Sequence, residues 1–576
     1  MFKLLRYMKG WAIFFAILAP LMMLLEVVMD LTQPKLMADI IDIGVANGDL
    51  SYVLSSGGRM LLVALVGLFG GMACCVFSAM AAMSMGEKLR QGLFSKIQQL
   101  SFVELDKLKT SSLITRLTND VTQVQNMVLM GLRIMVRAPL MCIGGLIMAY
   151  SLSPRLSLIF LVAMPIILIA VFIIFRKSLP LFLSLQEKID RVNVVMRESI
   201  LGIRVIKAFT IEAKQGERFD AVNDSLMNTG IKAQSINMTL WPIVIIVMNL
   251  SVIAVLWYGG NLVNDQLLEI GKIMAFINYL LQIMNSLIML VMLVINFSRA
   301  KASADRINEV FDTVPSIQNP CIPQEIEHFD IEFRNVSFKY HPQGEYVLEN
   351  ISFTARAGEK IGIIGATGSG KSSLVSLIPR LYDATEGEVL IGGVNVKDLS
   401  LEVLRGHIGV VLQESILFSG TIGDNLRFGN PQADADLMDQ ATRDAQAYDF
   451  INLEKNAYEG IVEQRGKNLS GGQKQRLSIA RTLITNPKIF IMDDSSSALD
   501  MATETRLQEA IKESMSSCTI LTIAQRITGV MDADKIILLD NGKIDAIGTH
   551  QALLNDNEIY RSIAISQLGE EVLAHV

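Results

Sequence analysis

Charge is scarce in this chain of 576 residues. Charged residues make up 19% against 51% hydrophobic, whereas soluble globular chains carry about 25% charged residues. That deficit excludes a disordered chain and argues against a wholly soluble one. There is no basic excess either: 51 Lys+Arg face 57 Asp+Glu, a formal net charge of −6. A general nucleic-acid binder would need a basic footprint. Cysteine is sparse, with five residues, and none forms a C-x-x-C pair. The adjacent Cys74 and Cys75 could bridge each other only with strain. All five read as reduced or buried thiols, with no zinc site. Histidine is equally sparse: of the five, none lies between His407 and His550.

What the chain has instead is apolar length. Six runs approach or exceed the roughly 20 residues that a bilayer span requires: Trp11–Met29, Met60–Met85, Ile134–Ser151, Leu156–Phe175, Leu240–Val263 and Ile273–Phe297. The first follows Lys3, Arg6 and Lys9 but continues into Glu26 and Asp30 without a small-residue cleavage site, so it reads as a retained helix. The 30 methionines suit lipid-facing packing or a soft cavity lining.

Loop charges set the orientation. Gly44–Ser55 and Asn261–Gly271 contain no Lys or Arg, whereas Glu87–Gln125 carries Lys88, Arg90, Lys96, Lys107, Lys109 and Arg116. The positive-inside rule places the long segments and both termini in the cytosol, at the cytoplasmic membrane. Gly86–Leu100 and Gln186–Phe209 have helical spacing and few breakers, so the membrane helices are expected to continue into the cytosol. Hairpin tips are expected near Thr110–Ser112 and Thr210–Lys214. Arg133 and Arg137 lie one turn apart on one face. With Glu26 and Asp30 they suit an internal ion pair, an interfacial anchor or a substrate contact.

A charged helix tail and the prolines Pro315, Pro320 and Pro323 mark a boundary. The organisation is therefore a six-helix all-α transmembrane domain (1–300), a linker (301–328) and an α/β P-loop domain (329–576). Phe329–Val336 alternates like a strand. Gly365-Ala366-Thr367-Gly368-Ser369-Gly370-Lys371-Ser372 fits G-x-x-x-x-G-K-[ST], after the strand-like Lys360–Ile364 and before a helix expected over Ser373–Leu381. Its glycines let backbone N–H groups close around phosphates. Lys371 would meet the β- and γ-phosphates, and Ser372 would supply a hydroxyl to Mg²⁺. Ile489-Phe490-Ile491-Met492-Asp493 is an apolar strand ending in the acid such a site needs.

The segment Leu469-Ser470-Gly471-Gly472-Gln473 resembles the signature of ATP-binding cassette (ABC) proteins. With the P-loop, Gln413 in Val411-Leu412-Gln413-Glu414, Ser497-Ala498-Leu499-Asp500 and the six spans, the resemblance to an ABC exporter half-transporter covers nearly the whole chain. It implies ATP and Mg²⁺ as cofactors. Tyr340 would stack on adenine, Gly365–Ser373 would hold the phosphates, and Ser372, Gln413 and, through water, Asp493 would serve Mg²⁺. Glu463-Gln464-Arg465-Gly466 corresponds to a segment that touches cytosolic helix tips. Ser470, Gly471, Gly472 and Gln473 would face ATP held by a second chain.

Two positions depart from the family pattern. The glutamate expected after Asp493 is Asp494, and the histidine expected after the next strand is Gln525, in Leu521-Thr522-Ile523-Ala524-Gln525-Arg526. Aspartate retracts the carboxylate by ~1.5 Å, about one C–C bond. Glutamine donates hydrogen bonds but cannot become a cation. The expectation is a chain whose own site binds ATP and turns it over slowly, resembling the degenerate-site subunit of bacterial heterodimeric multidrug exporters. Its partner would be a half-transporter with the consensus Glu and His, and its cargo an amphiphilic compound, drug-like or lipid. The alternatives are a homodimeric lipid translocator or multidrug exporter, and a nucleotide-gated regulatory membrane protein.

Overall fold

The structure, a computed structural model, describes residues 2–453, 456–495 and 498–568, apart from the side chains of Phe2 and of residues 291–296. The chain forms two units: Met1–Gln98 with Thr110–Thr313, and Gln99–Lys109 with Val314–Val576.

The first unit is helical: α1 (Trp11–Asp39), α2 (Leu50–Gln98), α4 (Thr110–Thr115), α5 (Val121–Leu152), α6 (Pro154–Leu201), α7 (Ile203–Phe209), α8 (Glu212–Met238), α9 (Leu240–Asn264) and α10 (Ile270–Asp312). The short helix α3 (Phe102–Leu108) belongs to the second unit. Six stretches among the described residues are long and apolar enough to cross a membrane: Trp11–Val45, Leu50–Gln98, Thr110–Leu152, Pro154–Leu201, Glu212–Asn264 and Ile270–Leu290. Most exceed what a bilayer needs. α2 runs for 49 residues and α6 for 48, well past each apolar run.

α1 packs on α2 and α5, α5 on α10, and α6 on α8 and α9. Tyr279 is fully buried in this core, and its hydroxyl donates to the Leu31 carbonyl at 2.7 Å. Of the intramembrane charges, Arg137, Glu26 and Asp30 form an internal ionic cluster. Arg137 donates to Glu26 and, at 2.9 Å, to Asp30 Oδ2, so one guanidinium serves two carboxylates. Just before α5, a π turn at Arg116–Asp120 carries a second ionic cluster. There Arg306 binds the buried Asp120, and Arg116 binds Glu309 and the Arg306 carbonyl.

The helical breaks differ in detail from the sequence reading. The first lies at 99–109, ahead of Thr110, because Ser101 and Glu104 form a capping box that starts α3 afresh. Lys109, at φ +61°, then ends α3 in the left-handed region. Thr110–Ser112 is already helical again. The second break is narrower than expected: Thr210, at φ +53°, turns the chain, and α8 resumes at Glu212.

The second unit contains a four-stranded antiparallel sheet in the order β2 (Leu348–Ala355), β1 (Ile331–Phe338), β4 (Glu386–Ile391), β5 (Val394–Asn395). A larger sheet follows the order β12 (Lys543–Gly548), β11 (Lys535–Asp540), β3 (Lys360–Gly365), β10 (Thr519–Ile523), β9 (Ile489–Asp493), β6 (Ile408–Val411). All its pairings are parallel except the antiparallel edge strand β12. A two-stranded ribbon joins β7 (Gly420–Thr421) to β8 (Ile461–Val462). β1 begins two residues later than its alternation predicts, where Ile331 pairs with both Ala355 and Ile391.

α3 is tied into this unit by named contacts. Ser101 Oγ accepts from Ile317 N–H at 3.0 Å, and Asp106 Oδ2 accepts from the Tyr382 hydroxyl at 2.7 Å.

Candidate nucleotide site

The parallel register builds the site. Ile523 lies beside both Ile363 and Asp493, so β3, β10 and β9 end together. Ligands of such sheets bind beyond the carboxyl ends of the strands. Residues 365, 493–494 and 524–525 are all delivered to that edge.

After β3 the chain turns through 366–370 into α11 (Lys371–Ser376). Gly370, at φ +98°, caps this helix, and a Cβ there would come 2.8 Å from both the Val347 carbonyl and Leu348. Glycine is therefore required twice over, by the backbone angle and by the close approach. The helix starts two residues before the expected Ser373 and stops at Ser376, ahead of Pro379, which has no N–H to continue it.

Lys371 is buried, and its Nζ donates to the carbonyls of Gly365 (2.9 Å) and Ala366 (2.7 Å), with Ser369 Oγ at 3.5 Å. Burial lowers its pKa, opposed by Asp494 and Asp493. Ser372 Oγ donates to Asp493 Oδ1 at 2.9 Å. Asp493 is held above the usual carboxylate range by burial, against the Ser372 hydrogen bond.

Asp494 sits at φ +47°, its N–H bonded to the Ile523 carbonyl at 3.0 Å. Its Oδ2 accepts two amide donors, Gln525 Nε2 at 2.7 Å and Gln413 Nε2 at 3.2 Å. Burial raises its pKa, and those two amides pull it back.

A cavity of about 300 Å³ is lined by Thr367, Gly368, Gly370, Lys371, Ser372, Ser373, Gln413, Asp493, Asp494 and Gln525. Most of the sequence-predicted site therefore converges. Gly365 and Ala366 line a neighbouring cavity on the other side of the loop. Tyr340 lies outside the lining. Its hydroxyl is 2.9 Å from Ser373 Oγ, and its ring meets Tyr382 edge-on at 5.2 Å. Ser372, Asp493 and Gln413 together present a hydroxyl, a carboxylate and a side-chain amide. These oxygen donors suit Mg²⁺ completed by phosphate and water.

The signature is not part of this cavity. Ser470 caps the helix Gly471–Leu483, forming a reciprocal capping box with Gln473 (2.8 and 3.3 Å). Gly471 lines a separate space of about 380 Å³ with Arg465, Lys467, Lys474 and Ala498. Arg465, at φ +59°, and Gly466 make the turn before it. Gln475 Oε1 accepts from Ala498 N–H at 3.2 Å. Ser497 lies outside the described residues. Two participants were missed by the sequence reading: Tyr382, which joins Tyr340 to Asp106, and Gln567, which holds the Gln525 main chain.

Residues 16–287 match the family model described as the ABC transporter transmembrane region, and 348–497 match the model described as ABC transporter. The chain is 41% identical over 569 residues to YfiB of Bacillus subtilis (strain 168), named an ABC transporter ATP-binding protein, with 99% of each chain covered. The chain belongs to the ABC transporter family. A relative named ABC transporter ATP-binding protein MT1311, from Mycobacterium tuberculosis (strain CDC 1551 / Oshkosh), is 36% identical over 559 residues, 96% of each chain. The solved structure of a bacterial Atm1-family ABC exporter with ATP bound shares the fold. Its TM-score is 0.80 at 24% identity, with 96% of this chain and 98% of that one covered. This chain is thus an ATP-hydrolysing ABC transporter protein, a multi-pass membrane unit followed by its ATPase unit, with the fold of that exporter.

Proposed function

We propose that this chain is the degenerate-site subunit of a heterodimeric exporter that moves amphiphilic compounds, drug-like or lipid, across the cytoplasmic membrane. Its ATPase unit and both termini face the cytosol. Its own P-loop site binds ATP with Mg²⁺ at Ser372, Gln413 and Asp493 and turns it over slowly. Its Ser470–Gln473 signature completes the competent site of a partner that carries the consensus Glu and His.

One observation carries the reading: among the described residues, the carboxylate that lines the cavity beside Asp493 is that of Asp494, which is short and is engaged by two glutamine amides. A general base must come within about 2.6–3.2 Å of the water it activates. A carboxylate drawn back and held by Gln413 and Gln525 is poorly placed for that work, and Gln525 offers no cation to a γ-phosphate. The intact elements favour retained binding. Lys371, Ser372 and the P-loop glycines all remain, and the signature helix has Ser470 and Gly471 exposed at its N-terminus, an end suited to phosphate.

In the cycle, ATP held between the two ATPase units stabilises their closed arrangement. That coupling requires nucleotide to bind the closed form better than the open one. Hydrolysis at the partner's P-loop then releases it. Tyr340 is assigned to the adenine ring, beside Ser373. Apolar, methionine-rich spans favour amphiphilic cargo.

The test is ATP hydrolysis and vesicle transport by the co-purified pair. Ser470→Ala here should remove most of the hydrolysis, whereas Asp494→Ala here should leave most of it. Equal losses from both, or brisk hydrolysis and transport by this chain alone, refute the assignment.

A further inference from the structure

The segment Ala524–Ile527 that follows β10, the switch segment, is gripped from outside the nucleotide cavity. Gln567, on the helix Glu558–Leu568, places its Oε1 to accept from Ile527 N–H at 2.8 Å and its Nε2 to donate to the Gln525 carbonyl at 2.9 Å. Both ends of one side chain thus bracket Arg526, between the Gln525 carbonyl and the Ile527 N–H. Gln525 in turn donates its own side-chain amide to Asp494. Its main chain is fixed by the C-terminal helix and its side chain by the cavity carboxylate.

The helix that carries Gln567 is itself firmly placed. Tyr560 is fully buried, with its hydroxyl 2.7 Å from His550 Nδ1 and its N–H bonded to Asn557 Oδ1 at 2.8 Å. Tyr560 and Ala564 share one apolar cluster with Ile364, Ala524 and Ile527. Ile364 immediately precedes the P-loop, and Ala524 and Ile527 flank the switch. The helix therefore splints the two segments that must keep register across the nucleotide cavity. Between them lies a cavity of about 470 Å³, bounded by Gly365, Ala366 and Thr367 on one side and by Gln525, Ser566 and Gln567 on the other.

Gln567 is an exposed residue. Water could satisfy its amide, so the two bonds do little for the core. Their direction is what matters, since both end on the switch backbone.

We propose that Gln567 is a positioning residue: it fixes the switch backbone so that the Gln525 amide stays in the nucleotide cavity, and thereby slows nucleotide release from this chain's site. This rests on reading that cavity as the nucleotide site. Loss of the grip lets Gln525 leave Asp494 and the cavity wall, and bound nucleotide is then less well enclosed.

The experiment measures dissociation of a fluorescent ATP analogue, with Mg²⁺, from the full-length chain in lipid nanodiscs. Gln567→Ala should speed release by about 3- to 10-fold, the range set by the net worth of one hydrogen bond. Gln567→Glu keeps the acceptor for Ile527 N–H but cannot donate to the Gln525 carbonyl, so it should fall between. Ser566→Ala should match the native chain, and the thermal unfolding midpoint should stay the same in all three. Release from Gln567→Ala within twofold of the native rate overturns the proposal. So does faster release accompanied by a lowered midpoint and no difference between the Ala and Glu variants, the mark of a merely structural role. Failure of the native chain to bind the analogue, with Lys371→Ala indistinguishable from it, overturns the underlying site assignment as well. Native binding that Lys371→Ala abolishes separates the two failures.

Discussion

Restoring the family pattern at Asp494 and Gln525 should revive hydrolysis at this chain's own site, and only when both positions change. Asp494→Glu advances the carboxylate by ~1.5 Å, about one C–C bond. Its Oδ2 now accepts from Gln525 at 2.7 Å and Gln413 at 3.2 Å. A displacement of that size either breaks both contacts or drags the glutamines along. Hydrogen bonds to a charged group are each worth about 1.5–3 kcal/mol, so improved reach is largely offset by lost anchoring. The single variant should gain less than about tenfold, since 1.36 kcal/mol is one factor of ten. Gln525→His alone supplies an imidazole and removes one of the two amides on the carboxylate but leaves it short and still held by Gln413; it should stay within about threefold of the parent on the same scale. Together they should gain on the order of 100-fold, the value of correcting a 1 Å misplacement. The assay is phosphate release by the co-purified pair in a Gly471→Asp background, chosen to silence the partner site that this chain's signature is proposed to complete. A Cβ at Gly471 meets Ala498 Cβ at 3.6 Å, an ordinary contact, so the substitution tests charge at the helix N-terminus and not packing. If Asp494→Glu alone delivers the full gain, or the double variant delivers none, the reasoning about the paired amides is wrong.

Three further outcomes follow from other parts of the chain. Asp120 is 3% exposed and pairs with the half-exposed Arg306, so Asp120→Ala should cost about 1–3 kcal/mol, below the 3–5 kcal/mol for fully buried pairs because Arg306 can still reach water. Asp120→Asn should be milder, and a thermal unfolding midpoint in detergent checks both. Cys321 is exposed, whereas burial pushes the Cys518 thiol up to about 12. Maleimide at pH 7.5 should therefore label Cys321 in the native protein and Cys518 only after denaturation, as read by peptide mass spectrometry. His550 is buried and its pKa lies below the ordinary 6.5 because of burial, opposed by Asp532. Its Nδ1 meets the Tyr560 hydroxyl, and its buried Nε2 has no partner among the described residues. A depressed histidine pKa contributes stability that is present above pH 6.5 and lost as pH falls below it. Thermal scans should show that loss on acidification, and His550→Gln should flatten it.

The phosphate-binding parts were legible in the sequence because their chemistry is local. Glycine spacing, the lysine and hydroxyl after it, and a buried strand ending in an acid all fall within short windows. Strand Lys360–Gly365 and strand Ile489–Asp493 match their expected bounds closely for the same reason. The first hairpin tip was misplaced although its signal is local too: Ser101 and Glu104 fit S-x-x-E. Contacts between distant residues were beyond reach. Tyr382 and Asp106 are 276 positions apart and Gln567 and Gln525 are 42 apart, and no periodicity links either pair.

The departures at 494 and 525 look independent in one dimension, since 31 residues separate them. Parallel pairing of β9 with β10 sets Asp493 beside Ile523, so each strand delivers its departing residue to the same edge. There they bond to each other. A glutamine amide directed at Asp494 is a glutamine not directed at a phosphate, and an aspartate shared by two amides is an acceptor already engaged. Each change therefore makes the other cheaper to keep: once the acid is short, an imidazolium has lost its catalytic companion, and a neutral amide holds the carboxylate in place instead. On this basis two changes that touch should show a coupling energy of about 0.5–3 kcal/mol in a double-mutant cycle. The cycle Asp494→Glu, Gln525→His and both, read on nucleotide affinity as well as turnover, should be strongly non-additive in turnover. It should be closer to additive in affinity, because Lys371 and the P-loop amides hold the phosphates in all four proteins. Additivity in turnover would mean that the contact at 2.7 Å is incidental and that the two departures arose as separate losses.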